Sequence, residues 1–370
     1  MGNSYISVKA LLDTIGVDYF MPPVACRQTL EYGIESSPEF MCLPFKSVIG
    51  DLIQGLENGA DTILFGGGCG QCRLSYYGDL MQEILRNKGY KFKYIHLDLS
   101  KITYSEMIKK LSPILNGKSK RLIIKAVTNA AFTVFAVDKL YATACKIRCR
   151  ELQKGETDHI IKEFEKEVQI VHGYRNIKKA IVNAKKKLHR IKTDKAFEPL
   201  KVLIIGEIFI SSDPFTNLDI EKKLGNMGLE VVNSMSVSEW IREHFLHYLK
   251  PIKRKNKALV AAFKYMHTED IGGHGIYTIG NAELFSRGQY DGMVHIYPFT
   301  CMPEIIAQTT FNAIQEKHGV PIMTLILDEM TGEAGYITRL EAFADMLKMR
   351  KESNEIESNK TDSNIKTASF

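Results

Sequence analysis

Lys201-Val202-Leu203-Ile204-Ile205-Gly206 is an unbroken apolar, β-branched run that begins two residues after Pro199 and stops on glycine. A run of that length between turn formers predicts a buried strand, and the change of texture at Pro199 marks the start of a new domain. Downstream, Leu229–Val232, Met293–Tyr297 and Pro321–Leu327 read as further strands. Helical spacing fills the stretches near 217–227, 237–249, 303–318 and 338–349. Strand–helix alternation of this kind predicts a parallel, doubly wound sheet.

Upstream of Pro199, residues from about 105 to 195 keep helical spacing with few Pro or Gly breaks. Before that, the alternation returns. Ser4–Ile15 has helical apolar spacing, Val17–Phe20 is a short extended piece, and 44–58 is a helix opened by Pro44. Thr62-Ile63-Leu64-Phe65 is a buried-strand run that breaks into Gly66-Gly67-Gly68. A helix from about Tyr76 to Asn87 and a strand over Lys91–Leu97 follow. The expected fold is therefore α/β: two Rossmann-like parallel-sheet domains with an intervening helical segment. The boundaries are 1–104, 105–198 and 199–350, with 351–370 a polar tail expected to be disordered. A doubly wound domain usually opens with a strand, whereas this sequence goes straight into a helix. The first sheet is expected to have one strand fewer, or its first strand lies outside this sequence.

Composition narrows the function. The 370 residues suffice for two ordinary hydrophobic cores, and 45% apolar with 25% charged is soluble-globular usage. A net charge of +6 is mild and spread out, apart from runs such as Lys185-Lys186-Lys187 that read as a solvated helix face. Nucleic acid is not an expected partner. No apolar run reaches the roughly 20 residues that span a bilayer, and no signal peptide is visible. Met1-Gly2-Asn3 lacks the Ser or Thr that myristoylation wants, since residue 6 is Ile6. No membrane is expected, and the expected location is the cytoplasm. Walker A and zincin motifs are both absent.

Seven cysteines stand at 26, 42, 69, 72, 145, 149 and 301, an odd set that argues against a disulfide framework in a reducing compartment. Cys69 and Cys72 lie in Gly66-Gly67-Gly68-Cys69-Gly70-Gln71-Cys72-Arg73, beyond the carboxyl end of a strand. Cys301 lies in Tyr297-Pro298-Phe299-Thr300-Cys301-Met302-Pro303-Glu304, again between strand and helix. Cys42 precedes Leu43-Pro44-Phe45-Lys46 at a helix start. Ligand crevices in open α/β sheets lie at the carboxyl ends of strands, and helix N-termini stabilise thiolates. Arg73 and Lys46 are nearby cations, and the glycines allow close backbone approach to a bound group.

A single C-x-x-C serves zinc, redox pairs and clusters alike. Long separations between the loop cysteines favour an iron–sulfur cluster, with zinc, a redox dithiol or no metal left open. Cys145 and Cys149, four apart on a helix, read as packing residues, and Cys26 is a candidate additional ligand. Three further segments stand at strand ends or in glycine loops. Gly206-Glu207-Ile208-Phe209 with Asp213–Asn217 forms a corner open to ligand contact or simple capping. Ile271-Gly272-Gly273-His274-Gly275 reads as a mobile loop. Asp328-Glu329 with Thr331-Gly332-Glu333 read as solvated caps.

Glu35-Ser36-Ser37-Pro38-Glu39 with Cys42-Leu43-Pro44-Phe45-Lys46 resembles a known bacterial and archaeal family. So do Gly70-Gln71-Cys72-Arg73 with Tyr76-Tyr77, and Pro298-Phe299-Thr300-Cys301-Met302-Pro303-Glu304. It is the branch related to the cluster component of 2-hydroxyacyl-CoA dehydratases and benzoyl-CoA reductases, associated with CoA-substrate-specific enzyme activases. Likeness continues through Gly206-Glu207-Ile208-Phe209, Asn217, Glu239-Trp240-Ile241 and Thr338–Phe343, so it spans Gly2 to about 345. The resemblance implies a [4Fe–4S] cluster, or a related larger one, held by Cys42, Cys72 and Cys301 with one iron open. It also implies reduction by an ATP-hydrolysing activator of the sugar-kinase/actin superfamily, in anaerobic metabolism, and a homo-oligomer. Cys69 is an addition to the family's G-x-C-R pattern, and the relatives open with a strand that ends near Met1-Gly2-Asn3. The expected function is a low-potential electron-transfer or reductase/dehydratase component. The rival is a zinc- or cluster-stabilised binding or scaffold protein without turnover.

Overall fold

The computed structural model describes residues 2–22, 24–67, 72–98, 104–115, 117–244, 256–268 and 271–367. In chain order the N-terminal elements are helices α1 (Tyr5–Ile15), α2 (Arg27–Ser36) and α3 (Leu43–Glu57), strand β1 (Thr62–Gly67), α4 (Leu74–Asn87) and β2 (Lys93–Asp98). Four helices follow: α5 (Tyr104–Leu115), α6 (Lys120–Arg148), α7 (Glu156–Ile170) and α8 (Tyr174–Leu188). The C-terminal part holds β3 (Lys201–Gly206), α9 (Ile208–Ser212), α10 (Ile220–Asn226), β4 (Glu230–Asn233), α11 (Val237–His244), α12 (Lys257–Ala262) and α13 (Gly275–Phe285). It closes with β5 (Gly292–Pro298), α14 (Met302–Gln308), α15 (Phe311–His318), β6 (Ile322–Leu327) and α16 (Glu333–Thr367).

The chain is mixed α/β, and both of its sheets are parallel. In the C-terminal sheet the order is β4-β3-β5-β6. Val202 and Ile204 pack with Val294, Ile296 and Leu325 beneath α10 and α16, whereas Leu203 and Ile205 face α13 and α15. Both faces are covered, and for that reason the strand reads as a continuous apolar run. β3 ends where Gly206 adopts φ +131°, and a Cβ there would sit 2.0 Å from the Ile296 carbonyl oxygen. Gly206→Ala is expected to destabilise the protein by more than about 1 kcal/mol, because the obstacle is sheet backbone that cannot give way. Thermal melts would show this as a lower midpoint, and an unchanged midpoint would refute the close approach.

The N-terminal sheet contains β1 and β2 among the described residues. Ile63 and Phe65 pack on Phe45 and Ile49 of α3 and on Met81 and Leu85 of α4. Leu64 points the other way and is 43% exposed. The run expected to be buried is thus buried on one face, since a short apolar run looks the same whether one or both faces are covered. Against this sheet, α2 and α3 meet closely: a Cβ on Gly33 would lie 1.8 Å from the Lys46 carbonyl oxygen. That contact fixes the first turn of α3, and with it Cys42 at the helix start.

Other boundaries also differ from the sequence expectation. Ile6 and Ala10 of α1 pack with Val137 and Leu140 of α6 and Ile177 and Ile181 of α8. The first helix therefore joins the middle bundle rather than the first sheet. The bundle leans on the edge strand of the C-terminal sheet, with Arg150 and Glu230 paired at 2.7 Å. The stretch 303–318 is two helices, because the Thr309 and Thr310 hydroxyls bond back to the Ile306 and Ala307 carbonyls and compete with the helix ladder. The polar residues from 351 to 367 continue α16. A helix already nucleated by packed Tyr336, Leu340 and Leu347 extends without a fresh nucleation cost. Val17–Phe20 joins neither sheet, and 245–249 of the expected fourth-quarter helix lie outside the described residues. Among the described residues, no helix is long and apolar enough to cross a membrane.

Candidate metal centre

Cys42 caps α3, Cys72 follows β1 just ahead of α4, and Cys301 caps α14 after β5. Glu207 stands at the equivalent point after β3, where it caps α9 by accepting from the Phe209 and Ile210 N–H groups at 3.0 and 2.9 Å. Arg73 joins the loops: its guanidinium donates to the Phe40 carbonyl at 3.3 Å and to the Thr300 carbonyl at 2.8 Å. The residue beside Cys72 thus clasps the loop of Cys42 to the loop of Cys301. Gly273 closes in from another side, where a Cβ would be 3.2 Å from Pro303 and 3.9 Å from the Cys72 Cβ. The Gly272-Gly273 segment thus lies against Pro303 and Cys72 and leads into α13.

Electrostatics tie the thiols together. Burial pushes the Cys42 thiol up to about 11, with Glu207 and Cys72 adding to the rise and the Tyr77 hydroxyl opposing it. Cys72 is raised by burial and by Glu207 and Glu304, against the pull of Arg73. Burial raises Cys301 furthest, together with Glu304, Glu207 and Cys72. Each thiol also feels a backbone N–H of the turn that follows it, from Phe45, Leu74 and Glu304 respectively, which favours the thiolate. Burial likewise lifts Glu207 to about 7. Beneath the site, His295 and Glu304 form a fully buried pair at 2.9 Å that seats the first turn of α14 on β5. The Cys42 thiol shares a short hydrogen bond with Tyr77.

Cys72 thus opposes the ionisation of Cys42 and Cys301, Glu207 opposes that of all three thiols, and the Arg73 guanidinium favours the Cys72 thiolate. Such a donor set fits a bound cationic metal group, which would stabilise all three thiolates at once. Among the described residues, no three His, Cys, Asp or Glu side chains come close enough to hold a single metal ion. A cubane distributes its cysteines over different irons, so its ligands stand further apart than those of one zinc ion.

No known family model matches this chain, and no curated protein matches it either.

Thr300 is the oddest residue of the site. Its backbone is left-handed at φ +70°, a rare conformation for a β-branched residue that costs about 1–3 kcal/mol. Its hydroxyl is buried and has no hydrogen-bond partner among the described residues.

The remaining expected residues fall elsewhere. Cys69 lies outside the described residues. Lys46 is buried, and its ammonium is taken by the Glu329 carboxylate and the Glu39 carbonyl. It joins α3 to the end of β6 instead of standing free beside the thiols. Asp213 and Asn217 cap their own turn through the Thr216 and Ile220 N–H groups. Asp328 accepts from Thr331 and Met330, and Glu333 pairs with Lys223. Cys145 donates to Glu221, and Cys149 to the Lys146 carbonyl, so both are packing residues. Tyr77, Glu207 and Thr300 stand in the motifs that carry the resemblance, but nothing in the sequence assigned any of them a role of its own.

Cys26 stands at the start of α2, where the Asp51 carboxylate acts on its thiol. Hydrogen bonds from Thr29 hold this thiol below its ordinary value. A lowered value means more thiolate at a given pH. Iodoacetamide labelling of Cys26 is therefore expected to reach half its maximal rate at a lower pH than that of a free cysteine peptide, whose midpoint is the reference value. Peptide mapping would read the profile, and a midpoint at or above that value would contradict the capping geometry.

Proposed function

We propose that this chain is an iron–sulfur protein whose cluster, a [4Fe–4S] or a related larger one, is held by Cys42, Cys72 and Cys301. It acts as a low-potential electron-transfer or reductase/dehydratase component resembling 2-hydroxyacyl-CoA dehydratase subunits, reduced by an ATP-hydrolysing activator. The two parallel sheets are read as Rossmann-like domains that share the site between them, in a cytoplasmic homo-oligomer.

One observation carries the reading: Arg73 clasps three loops that each bring a buried thiol, and Cys72 raises the pKa of both Cys42 and Cys301. When bound, the cluster supplies one-electron transfer at a potential tuned by ligation, burial and hydrogen bonds. The residues do the rest. Arg73 holds the Cys42 and Cys301 loops at a fixed separation. Tyr77 orients the Cys42 sulfur, and the buried His295–Glu304 pair keeps α14 seated. Glu207, raised to about 7, holds a proton near neutral pH at the edge of the thiol set.

Purification without oxygen, followed by iron and acid-labile sulfide analysis and electron paramagnetic resonance, tests the proposal. Iron with matching sulfide and a signal on reduction supports it. Zinc without sulfide would replace it with the scaffold reading. Electron uptake that depends on ATP and an activator ATPase separates a reductase from a passive cluster protein.

A further inference from the structure

We propose that the Thr300 hydroxyl donates a hydrogen bond to a sulfur of the cluster, and so sets its reduction potential as a positioning residue. The inference rests on the cluster reading above and names one residue's part in it. Two anomalies meet at this position. A threonine occupies a left-handed backbone site, φ +70°, where glycine or asparagine would sit without strain. The same threonine buries a hydroxyl that has no partner among the described residues. Proteins leave few buried polar atoms unsatisfied, since each such atom loses its bonds to water and gains none.

The backbone around this hydroxyl is fixed. Arg73 holds the Thr300 carbonyl at 2.8 Å, the Cys301 N–H donates to Pro298 at 3.1 Å, and the Phe299 N–H donates to Leu327 at 2.7 Å. Three bonds across a turn of four residues hold the backbone that carries this buried hydroxyl, one residue before Cys301. A threonine O–H is both donor and acceptor, and a sulfide or thiolate sulfur is an acceptor. A donor aimed at cluster sulfur favours the more negative, reduced state, and thereby raises the potential.

Midpoint potentials of the oxygen-free wild-type, Thr300→Val and Thr300→Ser proteins, titrated against a chemical reductant, provide the test. Valine keeps the β-branch and removes the hydroxyl, whereas serine keeps the hydroxyl. Thr300→Val is expected to bind the same iron but titrate at a more negative potential, and Thr300→Ser to stay near wild type. After exchange into heavy water, a deuteron coupling to the reduced cluster is expected in wild type and lost in Thr300→Val. If Thr300→Val assembles no cluster, Thr300→Ala takes its place in the comparison. Equal potentials and couplings in a protein that does hold its cluster overturn this inference alone. A wild-type protein without iron and sulfide overturns the function reading, and this inference with it.

Discussion

Cys301→Ser protein, purified without oxygen, is expected to hold at least roughly tenfold less iron and sulfide than wild type, and to lose its visible absorption. Removing even a residue that only supports a ligand costs about 10–100-fold in metal affinity, and a lost thiolate costs more. Serine offers a hard oxygen where iron–sulfur chemistry calls for soft sulfur. The two remaining thiols, Cys42 and Cys72, come from the N-terminal loops alone, so the substitution removes the C-terminal half's ligand. Cys145→Ser is the matched control, because that thiol is spent on Glu221 inside the helical bundle. It is expected to keep full iron content. Full iron in the Cys301→Ser protein would remove this cysteine from the ligand set.

Glu283→Ala is expected to lower unfolding free energy by about 1.5–3 kcal/mol, the range for hydrogen bonds to a charged group, because the carboxylate is buried while Lys264 and Lys317 stay half-exposed. The Glu283 carboxylate is fully buried near the start of β5 and β6, where it accepts from Lys264 at 2.7 Å, Lys317 at 2.9 Å, Tyr265 at 2.7 Å and His318 at 2.8 Å. Burial alone would raise its pKa, but these hydrogen bonds outweigh that and hold it well below the usual carboxylate range. A group depressed in the folded state contributes fully above its unfolded pKa, about 4.3, and loses that contribution as pH falls through the folded value. Wild type is therefore expected to lose stability steeply below about pH 4.3, and Glu283→Gln to show a shallower slope there. Urea denaturation at several pH values reads both. For contrast, Glu31→Ala breaks the exposed Arg27–Glu31 pair and is expected to cost about 0–1 kcal/mol. A Glu283→Ala protein as stable as that control would refute the network's weight.

The strands were legible because parallel sheets demand runs such as residues 201–206, and the cysteines because all three stand just ahead of helix starts, Cys72 and Cys301 also beyond strand ends. Leu64 was misread for want of knowing what covers its far face, which no local pattern records. The break at Thr309-Thr310 was hidden because threonine is tolerated inside helices until its hydroxyl turns back on the backbone. Lys46 looked like a free cation beside Cys42, yet its partner Glu329 lies at the other end of the chain. Glu207, Tyr77 and Thr300 owe their importance to neighbours from remote segments. Residue type alone could not announce them.

The spacing of the three cysteines has a consequence for biosynthesis. Cys42 and Cys72 leave the ribosome early, and Cys301 follows 229 residues after Cys72. At cellular elongation rates of about 5–20 residues per second, that gap lasts roughly 10–45 s. For that interval every nascent chain carries Cys42 and Cys72 without Cys301. On the proposed cluster reading, delivery is therefore a late event in maturation, and the growing chain is most exposed to stray zinc or oxidants before Cys301 is made.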